Sequence, residues 1–294
     1  MKTKGYLSVR HLEAVFPAAP RLQALNAGVC GTCTELLPCL RNDPPYGPLR
    51  VSQLVVAQYG EQAADLPWLA LAAAVAAHES LTCLVIRGLH IARDVNALVD
   101  AAAERRVETL SIQLCALDAE FVSALERLVQ RGSLTILEVV FLHGFPNAQE
   151  ANAVVFPALR LCRTLKCLIL DFNPHGDAII GTATRTATEL LDAAASLPAL
   201  SELNLRWCVV QDANAFGHAL GELLRANLPN LHTLIVYECL LGDGGLALVL
   251  DGLAVNTHLR RFACGYGNNL SEEFMRDRLY PALAALAARA ELDT

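Results

Sequence analysis

Apolar positions along this chain recur as the string Leu-x-x-Leu-x-Leu, with Val, Ile, Phe or small residues substituting. The string begins at Leu22, Val51, Leu81, Val107, Leu134, Leu165, Leu200, Leu231 and Leu259, at steps of 26 to 35 residues. Alternation over about five positions predicts a short strand with one buried face. After each strand the spacing widens to a helical period, as in Phe121, Leu125, Leu128 and Val129, or Phe216, Leu220, Leu223 and Leu224. One strand and one helix cannot bury their own apolar sides, so neighbouring units must stack. The pattern therefore predicts nine units that build an inner parallel sheet with helices outside it.

Polar punctuation agrees with this register. Asp94, Asp118, Asp212 and Asp243 stand just before helical patterns, where a short carboxylate can accept from free backbone N–H groups. Pro198, Pro229 and the pair Asn256-Thr257 fall where the chain must turn from helix to strand. The glycines of Gly242-Asp243-Gly244-Gly245 read as a turn. Residues 1–20, with Leu7, Leu12, Val15 and Phe16, are expected to form an N-terminal half-repeat cap. Residues 271–294 are expected to form a C-terminal capping helix. Its apolar side would carry Phe274, Leu279, Leu283, Leu286 and Leu292, with Glu272, Glu273, Arg276 and Arg278 solvated. The whole of 1–294 is read as one domain.

Leu234-Ile235-Val236-Tyr237-Glu238-Cys239-Leu240-Leu241-Gly242-Asp243-Gly244-Gly245-Leu246, continuing through Leu250, Leu253 and Asn256 to Leu259, resembles the ribonuclease-inhibitor-like class of leucine-rich repeats. The resemblance covers almost the whole chain. It implies an α/β fold, a right-handed horseshoe solenoid with an inner parallel sheet and outer helices. The first two repeats follow the pattern least: Ala27 replaces a large apolar residue, and Pro44-Pro45 interrupts the outer segment.

Composition narrows the class. Apolar residues make up 54% and charged residues 18%, which supplies a continuous core and argues against disorder. A net charge of −7 gives no reason to expect nucleic acid or an acidic membrane as partner. The longest apolar stretch, Leu66 to Ala77, is too short to span a bilayer and reads as a buried, Ala-rich helix. Ten cysteines without a secretory leader point to reduced thiols and a cytoplasmic protein. The triplet Asn269-Leu270-Ser271 does not overturn that reading.

At the ninth position of the unit, where the chain leaves the strand, stand Cys30, Cys115, Asn173, Cys208 and Cys239. A small, weakly donating side chain suits that site. Cys83 and Cys167 fall at the third position and Cys264 at the sixth. The alternative is a metal or redox site at Cys30-x-x-Cys33 with Cys39. Zinc wants four ligands, usually from two paired clusters, and no second pair lies nearby. No metal or cofactor is expected.

Alternate strand residues and the two that follow are the positions a partner could touch. At the seventh and eighth positions the later units carry Val140-Phe141, Asp171-Phe172, Arg206-Trp207, Tyr237-Glu238 and Gly265-Tyr266. Each of these five units contributes an aromatic, and the first four contribute none there. Aromatics beside Arg are what interface hot spots favour. The candidate contact residues are Phe141, Asp171, Phe172, Arg206, Trp207, Tyr237, Glu238 and Tyr266, with core packing the competing reading for Phe141 and Phe172. Charges on the inner strands are mixed: Glu108, Glu138, Asp171, Glu202 and Glu238 against Arg87, Lys166, Arg206, Arg260 and Arg261. A phosphate-tracking groove would need a basic excess.

The chain has no GxxxxGKS/T, GxSxG or HExxH string, and its eight histidines are dispersed. His175 and Asp177 read as turn residues. The function expected is therefore non-catalytic: a monomeric adaptor, inhibitor or effector that docks a protein on its concave face. The resemblance also implies alternatives. Such repeats serve as sensor or substrate-recognition segments in immune receptors and ubiquitin-ligase adaptors, and similar ones occur in GTPase-activating proteins.

Overall fold

The computed structural model describes residues 24–29, 37, 41, 51–58, 68–89, 91–115, 117–140, 158–172, 184–265 and 267–292. They belong to two compact units, 1–134 and 135–294. In the first, β1 (Ala24–Val29), β2 (Gln53–Gln58), β3 (Cys83–Arg87) and β4 (Thr109–Gln113) pair in parallel and in chain order. The helices α1 (Trp68–Ala77), α2 (Ala92–Arg105) and α3 (Ala119–Gln130) alternate with them. The second unit repeats the plan with β5 (Ile136–Val140), β6 (Cys167–Asp171), β7 (Glu202–Arg206), β8 (Thr233–Tyr237) and β9 (Arg261–Ala263), again parallel and consecutive. Its helices are α4 (Thr184–Ala195), α5 (Ala213–Arg225) and α6 (Gly242–Val255), followed by a C-terminal helical segment.

The register follows the repeat count. Within each unit the third position of one repeat pairs with the third of the next, as in Ala24↔Gln53↔Cys83↔Thr109 and Cys167↔Glu202↔Thr233↔Arg261. The first two repeats are in step despite Ala27. Leu84 and Ile86, Leu110 and Ile112, Leu168 and Leu170, and Leu203 and Leu205 are fully buried beneath the helices. Period-two alternation thus sends the fourth and sixth positions into the core and leaves the third, fifth and seventh on the open face.

Side chains also tie successive repeats through their backbones. Ser80 and Ser133 donate to the carbonyls of Val51 (3.1 Å) and Val107 (3.0 Å) in the preceding repeats. Asn256, buried, donates to Leu224 O at 2.8 Å and accepts from the N–H groups of His258 and Leu259 at 3.0 and 2.7 Å. Each bond satisfies a backbone group that the turn would otherwise bury unpaired.

The helices α5 and α6 touch backbone to backbone. A methyl group on Gly221 would lie 2.5 Å from Leu248 O, and one on Gly245 would lie 2.7 Å from Ala213 O. Methyl groups on Gly217 and Gly252 would run into the Gly245 and Gly221 carbonyls. Gly245 is therefore a packing residue, whereas Gly242, at φ +62°, is the one that serves the turn.

Two of the four expected caps form. Asp118 accepts from Glu120 N and Phe121 N, both at 3.0 Å, and Asp212 accepts from Ala215 N at 2.9 Å. Asp94 instead lies inside the first turn of α2 and is buried, and burial raises its carboxyl above the ordinary carboxylate range. Asp243 lies inside α6 and binds forward, accepting from Ser271 N (2.9 Å) and Ser271 Oγ (2.7 Å).

Ser271 in turn caps the C-terminal segment through Phe274 N at 3.1 Å. That segment runs through Glu272–Phe274, a π-helical turn at Met275–Leu279, and α7 (Tyr280–Leu292). Leu279 and Leu286 are buried, and Arg289 donates to the carbonyls of Leu253 and Asn256 at the end of α6. Its cation there complements the negative end of that helix. Among the described side chains of this segment the exposed polar ones are Ser271, Glu272, Glu273, Arg276, Asp277 and Arg278, whereas Tyr280, Pro281, Ala284, Ala285, Ala287 and Ala288 of α7 are exposed and apolar.

The Ala-rich stretch is not wholly buried either. Trp68, Leu71, Ala74 and Val75 of α1 face the core, but Leu69 is 72% exposed and Ala73 and Ala77 are exposed beside it. A helix without polar residues must show some apolar side when only one face meets a core. The expected N-terminal half-repeat, residues 1–20, lies outside the described residues.

Candidate functional site

The strand ends of the second unit assemble the residues singled out above. Asp171, Arg206 and Tyr237 are register partners across β6, β7 and β8. Neighbouring strands lie about 4.8 Å apart, so the three form one continuous row. The next residue of each strand extends the row: Phe172, Trp207 and Glu238. Arg206 is exposed, and the other five are half-buried. Phe172 is thus not a core residue. Phe141 and Tyr266 lie outside the described residues.

Backbone geometry holds this second row. Phe172 N donates to Arg206 O at 2.9 Å, and Trp207 N donates to Tyr237 O at 3.0 Å. After that last ladder bond the chain must swing out of the sheet. It does so at the eighth position with φ of +55° at Trp207 and +56° at Glu238. The first unit makes the same exit with Gly88 (+69°) and Leu114 (+55°). Left-handed backbone costs a non-glycine residue roughly 1–2 kcal/mol, so large side chains here stand against local preference. Gly267 packs directly on the Glu238 backbone, where an added methyl would lie 2.8 Å from the Glu238 Cα.

On the open face behind the row, Arg206 folds back along its own strand, and Nε donates to Asn204 Oδ1 at 3.2 Å. Asn204 is buried beneath it. The third and fifth positions add Glu138, Cys167 and Glu202, all half-buried. Burial first, then the carboxylates of Glu202 and Glu138, push the Cys167 thiol up to about 11. Basic residues lie toward the other end of the strands, where Lys166, His232 and Arg261 are exposed and Arg260 is half-buried.

Behind the rim runs a ladder of small polar groups. The Cys239 thiol donates to Tyr237 O (3.3 Å) and Leu205 O (3.8 Å), and the Cys115 thiol to Gln113 O (3.4 Å) and Ile86 O (3.6 Å). Burial pushes Cys115 up to about 11 and Cys239 to about 12, which makes these thiols structural and poor nucleophiles. The seven described cysteines are all free, and Cys30, Cys33, Cys39 and Asn173 lie outside the described residues.

In the ninth repeat the ladder site is filled one residue late, by Asn268. It donates to Val236 O (2.8 Å) and Cys264 O (2.6 Å), and its carbonyl accepts from Leu241 N (3.4 Å). Strict counting places Gly267 at the site and misses Asn268. The buried-polar type of Asn in the pair Asn268-Asn269 was the signal available.

Among the described residues no group of three or more His, Cys, Asp or Glu side chains could hold a metal ion. No helix among them is long and apolar enough to cross a membrane.

No protein-family model matches the chain, and no curated protein matches it in sequence. Among solved structures, the leucine-rich repeat-containing protein LegL7 from Legionella pneumophila is similar at a TM-score of 0.55 and 14% identity. The match covers 96% of this chain and 87% of that one. A protein from Bacteroides fragilis matches 88% of this chain and 72% of its own at 16% identity, with a TM-score of only 0.40. The fold is that of an α/β leucine-rich-repeat solenoid.

Proposed function

We propose that this protein is a non-catalytic scaffold that docks a protein partner on the open sheet face of its second unit, at the strand-end rim. The observation that carries this is the row Asp171–Arg206–Tyr237 with Phe172, Trp207 and Glu238 beside it, accessible and aligned by the ladder. Aromatic and Arg side chains give large contact area at low entropic cost, and a ladder-fixed row is already ordered before the partner arrives. The ribonuclease-inhibitor-like subtype, a monomeric state and a cytoplasmic setting complete the reading.

The test is a double variant, Trp207→Ala with Tyr237→Ala, used in affinity capture from the native source. The partner should be lost while the unfolding midpoint stays within a few degrees of the parent. Arg87→Ala, at the corresponding position of the first unit, should retain it. Undiminished capture by the double variant would remove the rim from consideration.

A further inference from the structure

The strands of the second unit run parallel, so its helix-to-strand turns all fall at one end of the sheet. Those turns, 160–166, 195–201, 225–232 and 255–261, contain no Asp or Glu, although the whole chain carries a net charge of −7. They carry instead Arg163, Lys166, His232, Arg260 and Arg261, with Arg225 beside them. Ladder bonds at the strand starts fix the order of this edge. Ser201 N donates to Lys166 O (2.8 Å), His232 N to Ser201 O (2.9 Å) and Arg260 N to His232 O (2.8 Å). At about 4.8 Å per strand, the row from Lys166 to Arg260 spans roughly 14 Å.

Helix ends do not account for these charges. A cation in the last turn offsets the negative end of a helix. Arg225, at the end of α5, is already paired with Glu222 at 2.6 Å, and the end of α6 is met by Arg289. The last turn of α4 has no basic residue. Lys166 and Arg261 belong to the strand starts and are exposed. Among the described residues neither side chain makes a hydrogen bond or ion pair. Arg260 is held to its own turn, donating to Thr257 O at 2.7 Å, and His232 directs Nδ1 to the Asn230 carbonyl. One acid stands near them: Glu202, half-buried, in the third-position row between Cys167 and Thr233.

We propose that this strand-start edge, centred on Lys166, His232 and Arg261, binds an acidic segment of a protein. It is a surface apart from the strand-exit rim, and neither reading needs the other. An extended segment of about five residues covers the row, at roughly 3.3 Å per residue. Its carboxylates would take the Arg261 guanidinium by two parallel bonds and the Lys166 ammonium as a point charge. Glu202 decides between a peptide and a nucleic acid. A phosphate backbone is charged at every residue and would meet that carboxylate, whereas a peptide can place an uncharged residue against it.

The experiment uses the full chain and three dye-labelled probes followed by fluorescence anisotropy: alternating Glu-Gly and Gln-Gly peptides of equal length, and a single-stranded DNA matched in charge to the Glu peptide. The Glu peptide should bind saturably at low salt and weaken as ionic strength rises. Lys166→Gln and Arg261→Gln should each weaken it by about threefold, and together by about tenfold, with the parent's unfolding midpoint. Arg93→Gln, whose side chain is 82% exposed on α2, should leave binding unchanged. The Trp207/Tyr237 double variant should bind the Glu peptide like the parent. Equal binding of the Gln peptide, no response to the Glu peptide, or an equal loss from Arg93→Gln would overturn the proposal. Loss in the Trp207/Tyr237 double variant would move the contact to the rim and overturn it too. Tighter binding of the DNA, weakened by the same two variants, would replace the acidic segment with a nucleic acid.

Discussion

The strands of the two units follow the same repeat register and the same set of core positions, yet their ends differ. In the first unit the seventh-position row is Ala57, Arg87 and Gln113, and its polar groups satisfy one another. Arg87 Nε donates to Gln113 Oε1 at 2.7 Å, and Gln113 Nε2 donates to Ser111 Oγ at 2.9 Å. In the second unit the same row is Asp171, Arg206 and Tyr237, and the following position changes from Gly88 and Leu114 to Trp207 and Glu238. The left-handed exit recurs in both places, but it is free of side-chain cost at Gly88 and costs the non-glycine residues Leu114, Trp207 and Glu238. The contrast shows that the ladder tolerates almost any side chain at the rim.

The sharpest way to break the contrast is to disturb the helix seam, which belongs to the second unit. Gly217→Val should cost about 3 kcal/mol, since α5 cannot move off the Gly245 carbonyl without opening the core around Phe216 and Leu220. Urea unfolding followed by Trp207 fluorescence would measure it, and an unchanged midpoint would mean the close approach is absent. Alkaline pH comes next. Thiols in the unfolded chain ionise near 9, whereas Cys115 is raised to about 11 and Cys239 and Cys264 to about 12, chiefly by burial. The folded state therefore keeps protons the unfolded state has released. Stability is intact below pH 9 and falls between pH 9 and about 12, by roughly 1.4 kcal/mol per pH unit for each such thiol. Trp207 should report unfolding at lower pH than Trp68, because Cys208 is raised as well and, among the described residues, the second unit holds more of these groups.

A smaller loss is expected from Asn268→Ala, about 2 kcal/mol. It would leave the Val236 and Cys264 carbonyls and the Leu241 N–H buried without their partner. Comparison with Ser201→Ala, whose bond to Lys166 O (3.0 Å) is exposed, would show that burial sets the size. Smallest is Glu238→Gly. Relief of the left-handed backbone offsets the extra freedom of glycine in the unfolded chain, so stability should change by less than about 1 kcal/mol in either direction. A large destabilisation would make Glu238 a structural residue and remove it from the rim.

The repeat arithmetic located all nine strands, because the Leu-x-x-Leu-x-Leu string is itself the imprint of one buried face. Leu203 and Leu205 could be placed in the core, and Asp171, Arg206 and Tyr237 in one row, by counting alone. Caps were half legible: Asp118 and Asp212 sit where a cap must, while Asp94 and Asp243 sit a residue or two further on, within the first turn, a shift that spacing does not resolve. The ladder residue Asn268 was hidden by an insertion of one. Its role depends on which carbonyls of the neighbouring repeat lie open, and those are supplied by residues about thirty positions away.

Local order along the chain was enough to specify the strand–helix alternation, the parallel register and the set of buried positions. These follow from short-range periodicity, which every repeat carries in its own residues. Contact between repeats decided the rest: the glycine seam of α5 and α6, the apolar outer side of α7, the retraction of Arg206 onto Asn204, and the half-burial of the Trp207 rim. Such features depend on distances between segments far apart in the chain, and no periodicity within one segment encodes a distance to another.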